Sequence, residues 1–127
     1  MKFLHTMIRV KNIDKSLDFY TKVLDMHITS KMRLDDCWLY FLTDEDNTCE
    51  IELTYNDNTP NDGYAIGSGF GHLAFKVESL SDFSKKISEL GYEYLYSPFD
   101  LNGKGSMIAF IKDPDGYEIE LIEKVVN

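Results

Sequence analysis

Apolar residues recur along this chain in two rhythms, period two and period three to four, and the same order of rhythms is written twice. Met7-Ile8-Arg9-Val10 alternates as the inner part of a strand, with His5 at its start. Lys11-Asn12-Ile13 then reads as a turn and Asp14 as a helix cap. Ile13, Leu17, Tyr20 and Leu24 return every three or four residues, and Phe19 and Val23 widen the stripe, which predicts an amphipathic helix. Met26 to Met32, Cys37 to Leu42 and Cys49 to Tyr55 follow as three strands, the last two separated by the polar turn Thr43-Asp44-Glu45-Asp46-Asn47.

The second half repeats the order. Gly71 to Val77 reads as a strand, and Leu80, Phe83, Ile87 and Leu90 mark one helix face that Gly91 stops, since glycine enters the left-handed region without a side-chain clash. Tyr92 to Tyr96, Met107 to Lys112 and Tyr117 to Glu123 supply three more strands, with Asp113-Pro114-Asp115-Gly116 as a tight turn. The expected fold is α+β, one domain over 1–127 made of two repeated βαβββ modules, approximately 3–56 and 70–123, with a linker over 57–69. A small sheet with one helix leaves a face uncovered, so the modules need each other. Asn56 to Phe70, rich in Gly, Asn and Asp, is the least patterned stretch. It reads as link and flap, permitting packing within one chain or exchange of modules between chains.

Composition changes this picture modestly. A 127-residue chain that is 43% hydrophobic, with eight Phe and eight Tyr, has material for one core. Thirteen basic against twenty-two acidic residues give a formal charge of -9, which opposes general attraction to nucleic acid or anionic membrane, so neither is expected as a partner. Cys37 and Cys49 lack CxxC spacing and read as core or strand residues in a reducing compartment. Without an N-terminal apolar h-region or a run of roughly 20 apolar residues, the expectation is a soluble, cytoplasmic protein.

Candidate chemistry lies in a spaced echo. His5 and Ile51-Glu52-Leu53 return as His72 and Ile119-Glu120-Leu121, the imidazoles 67 residues apart and the carboxylates 68. A lone histidine at a strand start is ordinarily a satisfied polar residue. The glutamates change that balance, because alternation sends each to the face opposite its apolar neighbours, where a buried charge requires a positive partner or a metal. Two nitrogen and two oxygen ligands would leave positions open for solvent or substrate, as a catalytic ion needs, with a structural ion as the alternative. Glu50 and Glu118 form a second repeated pair on the same nominal face, so spacing alone does not choose the donors. Arg9 falls on the side of its strand that carries His5. Asn102-Gly103-Lys104-Gly105-Ser106 lacks the order of a phosphate loop, and Phe70, Met107 and Phe110 read as core or as cavity lining.

His5-Thr6-Met7-Ile8-Arg9-Val10, Asp18 to Leu24, Ile51-Glu52-Leu53-Thr54-Tyr55-Asn56, Gly71-His72 and Ala109 to Leu121 together resemble the bacterial lactoylglutathione lyase (glyoxalase I) family of the vicinal oxygen chelate superfamily, from about residue 3 to 123. The resemblance implies the vicinal oxygen chelate fold and metal ligands at His5, Glu52, His72 and Glu120. It implies one six-coordinate divalent metal per active site, nickel or cobalt favoured and zinc possible, and a homodimer in which the first module of one subunit meets the second module of the other. The substrate it implies is the hemithioacetal of methylglyoxal and glutathione, isomerised to S-lactoylglutathione in methylglyoxal detoxification. Glu120 is then the first choice of base, and Glu52 handles the opposite enantiomer or returns the proton. Arg9 is assigned to a carboxylate of glutathione, which its planar donors suit, Asn56 to another peptide group and Lys104 to the glycine-end carboxylate. Ser30 to Asp36 is shorter and more polar than in enteric members, which leaves the choice of thiol open. A dioxygenase of the same superfamily is disfavoured by the second glutamate, Glu52, and a ligand-binding resistance protein without turnover is the rival from another class.

Overall fold

The computed structural model describes residues 1–123 of the chain. Two compact units, Met1–Ala65 and Ile66–Asn127, each hold one four-stranded mixed sheet. In the first, β1 (His5–Arg9) leads through helix α1 (Ile13–Asp18) to β2 (His27–Arg33), β3 (Cys37–Thr43) and β4 (Glu50–Asn56), in sheet order β1-β4-β3-β2. In the second, β5 (His72–Lys76) leads through α2 (Leu80–Glu89) to β6 (Tyr94–Asp100), β7 (Met107–Lys112) and β8 (Glu118–Glu123), in order β5-β8-β7-β6. Both units pair their first strand parallel to their last and the remaining strands antiparallel. The repeat in the sequence is therefore a repeat of βαβββ topology. It lays each histidine strand directly beside the glutamate strand of its own half.

The helices depart from the simple periodic reading. Asn12, not Asp14, caps α1, its Oδ1 accepting from the Lys15 amide at 3.1 Å. The α-helix lasts six residues and widens into a π-helical turn over Phe19–Val23, where the Leu24 amide donates to the Phe19 carbonyl at 3.3 Å. That wider turn brings Phe19, Tyr20 and Val23 to the covered side with Ser16, while Ile13, Leu17 and Leu24 stay only partly covered. Helix α2 is regular. Ser79 Oγ accepts from the Asp82 amide at 3.1 Å, Glu123 accepts from the Leu80 amide at 2.6 Å, and Gly91 ends the helix at φ +85°. Leu80, Phe83 and Ile87 are buried, on the side that packs on β7 and β8, each stabilising the unit by about 1.5–3 kcal/mol. Leu90, expected on that face, caps the helix and is exposed.

Strands β1, β2, β3, β4, β7 and β8 fall within two residues of their expected bounds, whereas β6 runs on to Asp100 through two register shifts. Pro98 is tolerated there because β6 is an edge strand. Ile8, Leu42, Ile51 and Leu53 form the sheet side of the first core, and Ala109, Ile111, Ile119 and Leu121 that of the second. Cys37 opens β3 and is buried, whereas Cys49, expected as a core or strand residue, lies just before β4 and is exposed. Burial pushes the Cys37 thiol up, helped by the nearby Asp36 carboxylate. Arg33 makes a bidentate pair with Asp57 at 2.8 and 2.5 Å, tying the end of β2 to the segment after β4. Among the described residues, no helix is long and apolar enough to cross a membrane.

Candidate functional site

Parallel pairing sets His5 opposite Glu50 and Met7 opposite Glu52; in the second half His72 lies opposite Glu118 and Ala74 opposite Glu120. Each imidazole nevertheless reaches diagonally past its backbone partner. His5 Nε2 lies 3.3 Å from Glu52 Oε1, and His72 Nε2 lies 2.8 Å from Glu120 Oε2. Ile51 and Leu53, like Ile119 and Leu121, face the cores, so alternation delivers both carboxylates to the other side of each sheet. The carboxylate side chains are 12% and 13% exposed and the imidazoles 36% and 43%, a nearly equal depth in both halves. Glu50 is engaged elsewhere, accepting a hydrogen bond from the Thr29 hydroxyl.

An aromatic ring completes each pair. Phe41 stands edge-on to His5 with centroids 5.5 Å apart at 82°, and Phe110 to His72 at 5.4 Å and 83°. The cross-strand partners of these rings are the same carboxylates, Phe41 with Glu52 and Phe110 with Glu120. Phe110 was legible as a lining residue. Phe41 escaped the sequence reading, although Phe41-Leu42 and Phe110-Ile111 recur 69 residues apart, close to the spacing of the other echoes.

The halves differ at one position beside the carboxylate. Thr54 Oγ1 donates to Glu52 Oε2 at 2.6 Å, so both oxygens of Glu52 are engaged. The residue 68 positions after Thr54 is Ile122, which has no hydroxyl to offer Glu120.

The donor set suits a divalent ion. Two ligand atoms about 2.1 Å from one ion and about a right angle apart are themselves about 3 Å apart. The two imidazole–carboxylate separations, 3.3 and 2.8 Å, bracket that value. Imidazole nitrogen with carboxylate oxygen serves nickel, cobalt and zinc alike. Among the described residues no group of three or more His, Cys, Asp or Glu side chains is gathered, and each half brings together one imidazole and one carboxylate.

The remaining candidates are scattered. Arg9 is exposed at the end of β1, on the face of His5, since His5, Met7 and Arg9 are exposed while Ile8 is buried. Asn56 ends β4 and spends its amide on the Tyr64 hydroxyl at 2.8 Å, fastening the segment that follows. Lys104 lies in an exposed loop organised by Asp100, which accepts from the Gly105 amide at 2.9 Å and the Asn102 amide at 3.3 Å. Those backbone donors, Gly105 first, hold the Asp100 carboxyl below the usual range. Phe70 meets Tyr117 edge-on at 5.6 Å, and Met107 opens β7.

Residues 2–121 match the profile of the Glyoxalase/Bleomycin resistance protein/Dioxygenase superfamily. The chain is 41% identical over 128 residues to lactoylglutathione lyase of Escherichia coli O157:H7, covering 98% of this chain and 93% of that one. The crystal structure of glyoxalase I from Zea mays superposes with a TM-score of 0.87 at 32% identity over 99% of this chain, which spans only 46% of the maize chain. The trypanothione-dependent glyoxalase I of Leishmania major superposes with a TM-score of 0.79 at 34% identity, covering 97% of this chain and 86% of that one. With a repeated His–Glu pair on a repeated βαβββ unit and near full-length identity of this order, the chain belongs to the lactoylglutathione lyase (glyoxalase I) family of the vicinal oxygen chelate superfamily.

Proposed function

We propose that this chain is a lactoylglutathione lyase, isomerising the hemithioacetal of methylglyoxal and glutathione to S-lactoylglutathione with one divalent cation held by His5, Glu52, His72 and Glu120. The observation that carries the reading is the repeated imidazole–carboxylate contact, 3.3 Å in one half and 2.8 Å in the other, on a chain of this family. Nickel or cobalt is the favoured ion and zinc the alternative. A bound cation supplies positive charge where negative charge gathers on the two vicinal oxygens of the substrate, worth several kcal/mol of barrier.

The reaction needs one proton moved between adjacent carbons. Glu120 takes it from the carbon bearing sulfur, the electron pair forms a double bond to the neighbouring carbon as that carbon's carbonyl pair moves onto its oxygen, and return of the proton to that carbon, with the hydroxyl proton passing from the first oxygen to the second, leaves a thioester and a secondary hydroxyl. Glu52 serves the opposite enantiomer or returns the proton. Burial to 13% exposure keeps bulk water from competing with Glu120, and Phe110 limits the angles open to His72. Arg9 is proposed to meet a thiol-side carboxylate, with Asn56 and Lys104 as further contacts; for Asn56 this requires releasing Tyr64. Membership of this family, with one imidazole–carboxylate pair in each half, is the reason to propose a homodimer whose sites join the first module of one subunit to the second module of its partner. The single domain of modules 3–56 and 70–123 with linker 57–69, and a cytoplasmic setting, complete the proposal.

Metal reconstitution tests it. The chain is stripped of ions, nickel, cobalt, zinc or magnesium is restored singly, and thioester production from methylglyoxal plus glutathione is followed. Thioester formation with nickel or cobalt, and little without metal, is expected. Loaded forms that bind the adduct yet make no thioester would overturn the assignment.

A further inference from the structure

The two carboxylates share a depth, a strand position and an aromatic neighbour, and they differ in one hydrogen bond. We propose that the Thr54 hydroxyl is the positioning group that makes them unequal, holding Glu52 more firmly in its donor position than Glu120, which is left freer to swing. This rests on the functional reading above and deepens it.

The argument starts from the strand. Residues two apart on β4 share a face, so Thr54 stands next to Glu52 and its Oγ1 reaches Oε2 at 2.6 Å. Thr54 is 6% exposed, so water does not compete for that bond, and a hydroxyl donating to a carboxylate is a charge-assisted contact. Glu52 Oε1 meanwhile faces His5. To turn away, Glu52 must break contacts at both oxygens.

Glu120 on β8 has the same offset to Ile122, and Ile122 pairs across the strands with Ile108 and Lys76. Its side chain offers only hydrocarbon. Among the described residues, the Glu120 carboxylate meets His72, through Oε2. Threonine and isoleucine are both β-branched and suit a strand equally, so the exchange at this repeated position does not serve the backbone. Nor does depth separate the pair, since 12% and 13% exposure leave the two carboxylates equally desolvated. A base that must leave its resting contact to reach a substrate proton is better placed where one contact holds it than where two do.

Two sets of variants decide. The ion-free chain as wild type, Thr54→Val and Thr54→Ser is titrated with nickel by calorimetry without substrate. Thr54→Val is expected to weaken nickel binding about tenfold, the usual scale for a lost bond to a charged group, and Thr54→Ser to recover most of it. Nickel-loaded Ile122→Thr, which gives Glu120 the hydroxyl that Glu52 has, is expected to lower kcat about tenfold with KM within about twofold, while Ile122→Val stays within about twofold of wild type in both. Nickel affinity of Thr54→Val within twofold of wild type, or a kcat for Ile122→Thr no lower than for Ile122→Val, overturns the proposal. If Thr54→Val does not fold, the Ile122 pair decides by itself. A wild-type chain that makes no thioester with nickel, cobalt, zinc or magnesium restored singly overturns the functional reading and this with it. One that loads and turns over while the variants match it overturns only the role of Thr54.

Discussion

The first and second halves run their strands in the same order and set an imidazole against a carboxylate in the same diagonal register, yet they are built differently around it. The first covers its sheet with a six-residue helix that widens into a π turn, braces the far end with Arg33–Asp57, and gives its glutamate a threonine hydroxyl. The second uses one regular ten-residue helix and sets isoleucine where the threonine would be. Register reproduces the donors; the neighbours decide how tightly each is held. The duplicated scaffold thus presents two like imidazole–carboxylate pairs whose carboxylates are unequally held.

The largest expected effect breaks the symmetry at the carboxylates. Glu120→Gln keeps the volume and removes the proposed base, so turnover should fall about 10²–10⁴-fold with the fold intact by circular dichroism. Glu52→Gln should show its main loss in nickel titration instead. Equal kinetic and binding defects in the two variants would argue that the halves are interchangeable.

Stability should separate the halves next. Phe83 is 8% exposed and anchors α2, so Phe83→Ala is expected to cost about 3–5 kcal/mol in urea unfolding. A loss below about 1 kcal/mol would show that the second core does not depend on this helix as its burial indicates.

A smaller effect tests the aromatic braces. Phe41→Ala and Phe110→Ala, each freeing one imidazole ring, should weaken nickel binding about tenfold apiece, as loss of a group that orients a ligand does. Weakening by only one of them would assign ring orientation to that half.

The smallest effect is in acid. Arg33 first, by hydrogen bond, and then by charge holds the Asp57 carboxyl below the usual range. A carboxyl depressed in the folded chain stabilises it above the unfolded value, and that contribution is lost as pH falls through the folded one. Arg33→Ala should therefore slightly lower the Tm at neutral pH and remove part of the decline between about pH 4 and lower values, seen in thermal melts. Both groups are exposed, so the shift should be small, and a large one would mean the pair anchors more than the end of β2.

Much of this was legible in the chain. Alternation about Glu52 and Glu120 gave the face of each carboxylate, and Leu80-to-Leu90 periodicity with the Gly91 stop gave α2, because both are read within a few residues. The cap at Asn12 and the π turn after Asp18 were not, because Asp14 caps as readily on paper and periodicity assumes a constant 3.6. The exposure of Cys49 was hidden for a similar reason: a strand's edge and its middle have the same composition.

By itself the sequence determined that two equivalent units exist, that each carries one histidine and two glutamates at matching places, and that those glutamates leave the core; local spacing suffices for all three. Which glutamate each imidazole faces, Glu52 over Glu50 and Glu120 over Glu118, was decided by tertiary structure. So were the Phe41 edge contact and the grip of Thr54 on Glu52. Those contacts depend on cross-strand register and rotamer choice, and strands some 45 residues apart in the chain choose their register by burying whole faces, which no local spacing records.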